Sequence, residues 1–169
     1  NKPNIIFLAA AKVGGILANN NYPVNFIEDN LLISLNVIRS SYLNKIEKLI
    51  YLGSSCIYPK GIEKPITEDL ILSGPLESTN QWYSIAKISG MKVCQAYRKQ
   101  YNCDFITLLP SNLYGPGDNF SKKNSHVPAA LIDRFHCAEE KKNKNVIVWG
   151  SGKPLREFLF VDDMAEACV

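Results

Sequence analysis

Tyr83 and Lys87 stand four residues apart in NQWYSIAKISGMKVCQAYRKQY (80 to 101), and on a helix that spacing places two side chains on one face, a turn apart. A phenol with an ordinary pKa of about 10 is a poor proton donor or acceptor at neutral pH, and a neighbouring ammonium favours its ionised form. Lys87 would therefore tune Tyr83 as an acid. Taken alone, the pair is more readily an ordinary Tyr and Lys on a helix surface. Ser54 shifts that balance, because it follows the apolar run EKLIYLG (47 to 53) and sets a hydroxyl where a buried strand gives way to a loop. A Ser, Tyr and Lys set can hold a carbonyl oxygen and protonate it as hydride arrives.

Elements able to position such a set follow from the apolar patterning. NIIFLAA (4 to 10) is a short continuous apolar run, as expected for a central parallel strand covered on both faces. Residues 24 to 44 are too long for a strand and read as a helix, 47 to 53 as the next strand, 80 to 101 as a helix, and CDFITLLP (103 to 110) as a third strand. That alternation is the grammar of an α/β fold with a doubly wound parallel sheet. SNLYGPGDNFSKKNSH reads as a long functional loop. A helix over 127 to 142, a short strand NVIVWG (145 to 150) and a strand-like REFLFV (156 to 161) follow. Ligands of such sheets collect beyond the carboxyl ends of the strands, here Ala10, Gly53 and Pro110.

Bulk composition excludes several classes. With 169 residues and 46% hydrophobic content the chain can bury a core. A net charge of +3 with one basic run, EEKKNKN (139 to 145), that opens on two acids is a solvated helix end rather than a nucleic-acid surface. The five cysteines include no C-x-x-C pair and have no metal-ligand spacing to either histidine, so no metal is expected and reduced thiols in a cytoplasmic protein are the economical reading. IIFLAAA is too short to span a bilayer. The opening NKPNIIFLAAA and the closing FVDDMAEACV both look cut, which sets the expectation of a piece of a larger protein.

SSCIYP, then YSIAK, PSNLYGPGDN and REFLFVDD occur in the order found in the extended short-chain dehydrogenase/reductase superfamily, which the chain resembles. Within it, LAAAKVGGI (8 to 16), GSSCIYPK (53 to 60), YSIAKISGMK (83 to 92), NLYGPGDNF (112 to 120), NSHV (124 to 127) and VWGSGKPLREFLFVDDMA (148 to 165) are similar to segments of the GDP-L-fucose synthase family. The resemblance implies part of a Rossmann NAD(P)-binding domain over residues 1–125, without its first βαβ units, and the start of a smaller substrate-binding domain over 126–169. The family's G-x-x-G-x-x-G loop is absent, and AKVGGILA has the wrong spacing to replace it. By the length of a βαβ unit, on the order of 50 residues would precede Asn1.

The implied reaction is conversion of GDP-4-keto-6-deoxy-D-mannose to GDP-L-fucose, with NADPH as the donor and a homodimer as the assembly. An epimerase needs two acid–base groups on opposite faces of the sugar, and a 4-keto group acidifies both C3 and C5. Cys56, a thiol with an ordinary pKa of about 8.5, serves as the base in this reading, and His126, an imidazole near 6.5, as the opposing donor. Tyr83 protonates the C4 oxygen, with Ser54 and Lys87 completing the catalytic set. Cofactor contacts are implied for Leu52, Gly53, Ser54, Ser55, Tyr83, Lys87, Pro110, Ser111, Asn112, Leu113 and His126. Arg134, Arg156 and Trp149 are implied substrate contacts, the arginines because guanidinium forks match a diphosphate. Trp149 reads nearly as well as a core aromatic, and the other four cysteines and His136 as structural. A 4-epimerase or 4,6-dehydratase would keep Ser54, Tyr83 and Lys87 without needing Cys56 and His126, and a fragment that binds sugar nucleotide without turnover is the third alternative.

Overall fold

The computed structural model describes residues 2–120, 125–148, 150–153 and 155–169, which form two compact units divided at Pro110. The first unit is built on three parallel strands, β1 (Ile5–Leu8), β2 (Lys48–Leu52) and β3 (Asp104–Leu108), in the order β1-β2-β3. Tyr51 of β2 lies in register with Leu8 and with Thr107. Between the strands run the short α1 (Ile16–Asn21), then α2 (Pro23–Leu43) and α3 (Gln81–Tyr101).

Proline at the start of α2 suits a position whose N–H has no helical partner. Its buried residues Phe26, Asn30, Ser34, Ile38 and Ser41 recur at spacings of three and four, which is one helix face. Ile38 packs with Leu8, Leu49, Tyr51 and Phe105 of the sheet and with Ile88, Met91 and Cys94 of α3. Both long helices therefore cover the sheet face that carries Leu49 and Tyr51. Full burial of a large apolar side chain such as Ile38 or Phe105 stabilises the unit by about 1.5–3 kcal/mol each. α3 ends where Asn102 takes a left-handed conformation (φ 53°), which asparagine tolerates better than most residues.

β1 is the end strand of this three-stranded sheet, with Ile5 and Phe7 each about half exposed. Ile16–Asn21, for which the sequence reading names no element, form α1, the buried Asn19 donating to the Gly14 and Gly15 carbonyls at 2.8 and 3.2 Å.

After β1 the chain is held by α2. The Asn30 side chain accepts from the Lys12 amide at 2.9 Å and donates to the Lys12 carbonyl at 3.0 Å, so both backbone polar groups of one loop residue end on a single buried amide. Lys12 Nζ meets Asp29 at 2.7 Å.

The second unit holds two short parallel strands, β4 (Asn112–Tyr114) and β5 (Phe158–Phe160), with α4 (Val127–Glu140) between them in sequence and α5 (Val161–Ala167) directly after β5. Asn112 donates from its backbone and side-chain amides to the Glu157 carbonyl, at 3.3 and 3.0 Å. β4 lies inside a stretch expected to be loop. Conversely, residues 145–148 form no strand, and Ile147 and Val148 are largely exposed. A strand exists only with a neighbour to complete its ladder, and among the described residues nothing pairs with these. Trp149 lies outside the described residues.

Among the described residues no helix is long and apolar enough to cross a membrane. Nor do three or more His, Cys, Asp or Glu side chains among them cluster as metal ligands would.

Candidate active site

The carboxyl end of β2 brings the first unit's candidate residues together. Gly53 continues the ladder one step past the strand, its amide donating to the Leu108 carbonyl at 2.8 Å, and a Cβ there would run into the Leu109 side chain. Any larger residue would make the Leu109 side chain move and crowd the Leu108 carbonyl. Ser54 is extended, and its hydroxyl accepts from the Cys56 amide at 3.3 Å, capping a single 3-10 turn over Ser55–Ile57. The two-residue offset from Ser54 to Cys56 is thus the offset of a capped turn. Ser55 is exposed, whereas Ser54 and Cys56 are half-buried.

From the opposite side α3 closes on this turn. Ser84, fully buried, donates to the Cys56 carbonyl at 2.9 Å, which ties the cysteine's peptide to the helix. Tyr83 and Lys87 lie a turn apart, as their spacing predicts. Lys87 is only 3% exposed, and its ammonium donates to the Leu52 carbonyl at 2.8 Å. The same nitrogen lies 4.9 Å from the Tyr51 ring centroid and 5.8 Å from that of Tyr83.

Electrostatics correct one expectation. Burial pushes the Tyr83 phenol up to about 12, reinforced by the Cys56 thiol, whose thiolate would repel a phenolate, and opposed by the Ser54 hydroxyl. Burial outweighs any lowering by the Lys87 ammonium, which is directed to a backbone carbonyl. Burial also brings Lys87 down to about 8. Tyr83 is consequently a protonated donor at neutral pH, with Ser54 and Cys56 as its immediate polar neighbours. Cys94 is buried in the core, and burial raises its thiol to about 11, which suits the structural role expected of it.

Leu52, Gly53, Ser54, Ser55, Cys56, Tyr83 and Lys87 thus gather at one strand end. Pro110 closes the first unit beyond β3, and Ser111, Asn112 and Leu113 open the second. His126 caps α4 through its backbone, its carbonyl accepting from Ala130 at 2.9 Å, while its exposed side chain makes no capping bond. Arg134 lies on α4 and donates to the Ile147 carbonyl at 3.4 Å; Arg156 is exposed and donates to the Leu155 carbonyl at 2.7 Å. Sequence reasoning missed Ser84 and Tyr51. Neither has a motif signal, since each matters through strand-to-helix register.

A model of the NAD dependent epimerase/dehydratase family matches residues 1–169. The chain belongs to that family. Among the family's curated proteins it is similar to GDP-L-fucose synthase 1 of Arabidopsis thaliana, at 58% identity over 168 residues (99% of this chain, 52% of that protein). It is likewise similar to GDP-L-fucose synthase of Escherichia coli (strain K12), at 54% over 164 residues (97% and 51%). The chain thus spans about half the length of the curated relatives it matches. Among solved structures, a GDP-L-fucose synthetase from Naegleria fowleri bound to NADP superimposes with a TM-score of 0.86 at 32% identity, over 99% of this chain and 55% of that one. For an epimerase/dehydratase family member, the Ser54, Tyr83 and Lys87 cluster lies where a parallel sheet presents ligands, at its carboxyl edge.

Proposed function

We propose that this chain carries the acid–base centre of a GDP-L-fucose synthase, which converts GDP-4-keto-6-deoxy-D-mannose to GDP-L-fucose by 3,5-epimerisation and then 4-keto reduction. The observation that carries the reading is the meeting of Ser54, Cys56 and Tyr83 at one strand end, with the Cys56 peptide tied to the catalytic helix by Ser84. A plain reductase needs Ser54, Tyr83 and Lys87; a base at Cys56 is required only if carbon acids are also deprotonated. The named relatives at 58% and 54% identity support the same substrate.

The donor set suits a nicotinamide cofactor. Lys87 gives one of its three N–H donors to Leu52 and has the chemistry to offer others to ribose hydroxyls, while Leu52, Gly53 and Ser55 present backbone at the same edge. Pro110, Ser111, Asn112, Leu113 and His126 complete the proposed cofactor contacts. NADPH, when bound, supplies the hydride to C4. The Tyr83 phenol, protonated at neutral pH, donates to the C4 oxygen, and Ser54 hydrogen-bonds that oxygen. In the epimerisation half Cys56 removes protons at C3 and C5 and His126 returns them from the other face, while Tyr83 and Ser54 stabilise the enolate oxygen. Arg134, Arg156 and Trp149 contact the substrate, the arginines suiting its diphosphate. Residues 1–125 serve the cofactor and 126–169 the substrate, in a cytoplasmic homodimer.

The test is product identity. A protein of full family length carrying these residues, given GDP-4-keto-6-deoxy-D-mannose and NADPH, should yield GDP-L-fucose by NMR. A 6-deoxy sugar that keeps its original configuration at C3 and C5 would overturn the proposal.

A further inference from the structure

Lys87 is a buried cation, and among the described residues no carboxylate lies within ion-pair distance of it; the ion pairs there belong to Lys12, Lys48, Arg98 and His136. An ammonium withdrawn from water needs compensation. One part is the Leu52 carbonyl at 2.8 Å. The remainder is aromatic: the Tyr51 ring at 4.9 Å and the Tyr83 ring at 5.8 Å, both within the range at which a ring face attracts a cation.

Tyr51 is itself held unusually firmly. It is 1% exposed in the central strand, with Leu8 and Thr107 in register on either side. Its hydroxyl lies 3.2 Å from Ser34 Oγ, which donates to the Asn30 carbonyl at 2.8 Å. On the α3 side the ring fills the space of a missing side chain, since a Cβ at Gly90 would collide with the Tyr51 hydroxyl and ring. Glycine is unfavourable inside a helix, and here it leaves the room that the ring occupies. The groups facing Lys87 are therefore Tyr51 and the Leu52 carbonyl from β2 and Tyr83 from its own helix. Ser34 of α2 and Cys94 of α3 bear on Tyr51.

We infer that Tyr51 is a positioning residue, a fixed aromatic platform that holds the Lys87 ammonium against the Leu52 carbonyl and so at the cofactor edge of the sheet. Its relevance to turnover rests on the role proposed for Lys87; the platform itself is tested without turnover. In the 169-residue chain, Lys87 is titrated by NMR with isotope-labelled lysine, comparing Tyr51→Phe with pentafluorophenylalanine at the same position. Fluorination removes the negative ring face and keeps the ring. The Tyr51→Phe protein should keep the Lys87 pKa of the wild type, and the fluorinated protein should fall below it by roughly half a unit to one unit. Tyr51→Leu, which removes the ring altogether, should move the pKa the same way. Equal Lys87 pKa values in the Phe and pentafluoro proteins would overturn the platform, whatever the protein proves to catalyse.

Discussion

The ammonium of Lys87, one helical turn beyond Tyr83, donates to the backbone carbonyl of Leu52 at 2.8 Å rather than acting on the tyrosine's hydroxyl. The lysine therefore joins the helix to the strand end, and its charge is carried at a cost in burial. Between about pH 8, its folded value, and its ordinary 10.5, the unfolded chain holds a proton that the native chain has released, so stability gains with pH across that window. Cys94, Tyr51 and Tyr83 have raised values and act in the opposite sense at higher pH, but they are common to wild type and Lys87→Met. The difference in urea-unfolding free energy, wild type minus Lys87→Met, should rise from pH 8 to pH 10. A flat difference would contradict a buried ammonium.

Removing the Tyr83 hydroxyl separates the two halves of the reaction. Tyr83→Phe should lower 4-keto reduction roughly 10²- to 10⁴-fold, the usual worth of a positioned acid, while keeping measurable hydrogen exchange at C3 and C5. Stopped-flow absorbance of NADPH and NMR of the sugar read the two separately.

Ser84→Ala removes the donor to the Cys56 carbonyl. Losing a hydrogen bond to a partly buried carbonyl costs about 0.5–1.5 kcal/mol, so the urea midpoint should fall accordingly. Exchange at C3 and C5 should drop more than reduction does, because the loosened peptide is that of the proposed base.

Asn30 anchors the loop after β1 through both polar groups of Lys12. Asn30→Ala should destabilise the unit by about 2–4 kcal/mol, as two backbone groups lose their partner. Asn30→Asp should lose at least as much, since it sets a buried acceptor against the Lys12 and Phe26 carbonyls to which the amide donates. Equilibrium urea unfolding measures both.

Much of this site was legible before the fold. Helical spacing puts Tyr83 and Lys87 on one face, an ordinary surface pair by itself, and Ser54 after an apolar run shifts that reading toward a site. Their meeting at one edge follows from parallel strand order alone. What could not be read depends on register between distant elements: Tyr51 under Lys87, Gly90 leaving room for its ring, and Ser84 reaching Cys56 across 28 positions. The sign of the Tyr83 shift was misjudged for the same reason, since spacing shows a neighbouring charge but not the burial that outweighs it. Residues 145–148 carry an apolar pattern suited to a strand, yet pairing is a property of two segments and a pattern describes one. α1 escaped notice because Gly and Asn are weak helix formers, and its buried Asn19 supplies what propensity does not.

The central claim, that Cys56 is a carbon-acid base and not packing, is tested most directly by deuterium uptake. A full-length protein carrying these residues is incubated in heavy water with GDP-4-keto-6-deoxy-D-mannose and no NADPH, beside its Cys56→Ser variant, and C3 and C5 are followed by NMR. Uptake at both carbons in the wild type, abolished by the substitution, is the predicted result. No uptake by a folded, substrate-binding wild type, or undiminished uptake in Cys56→Ser, would contradict it.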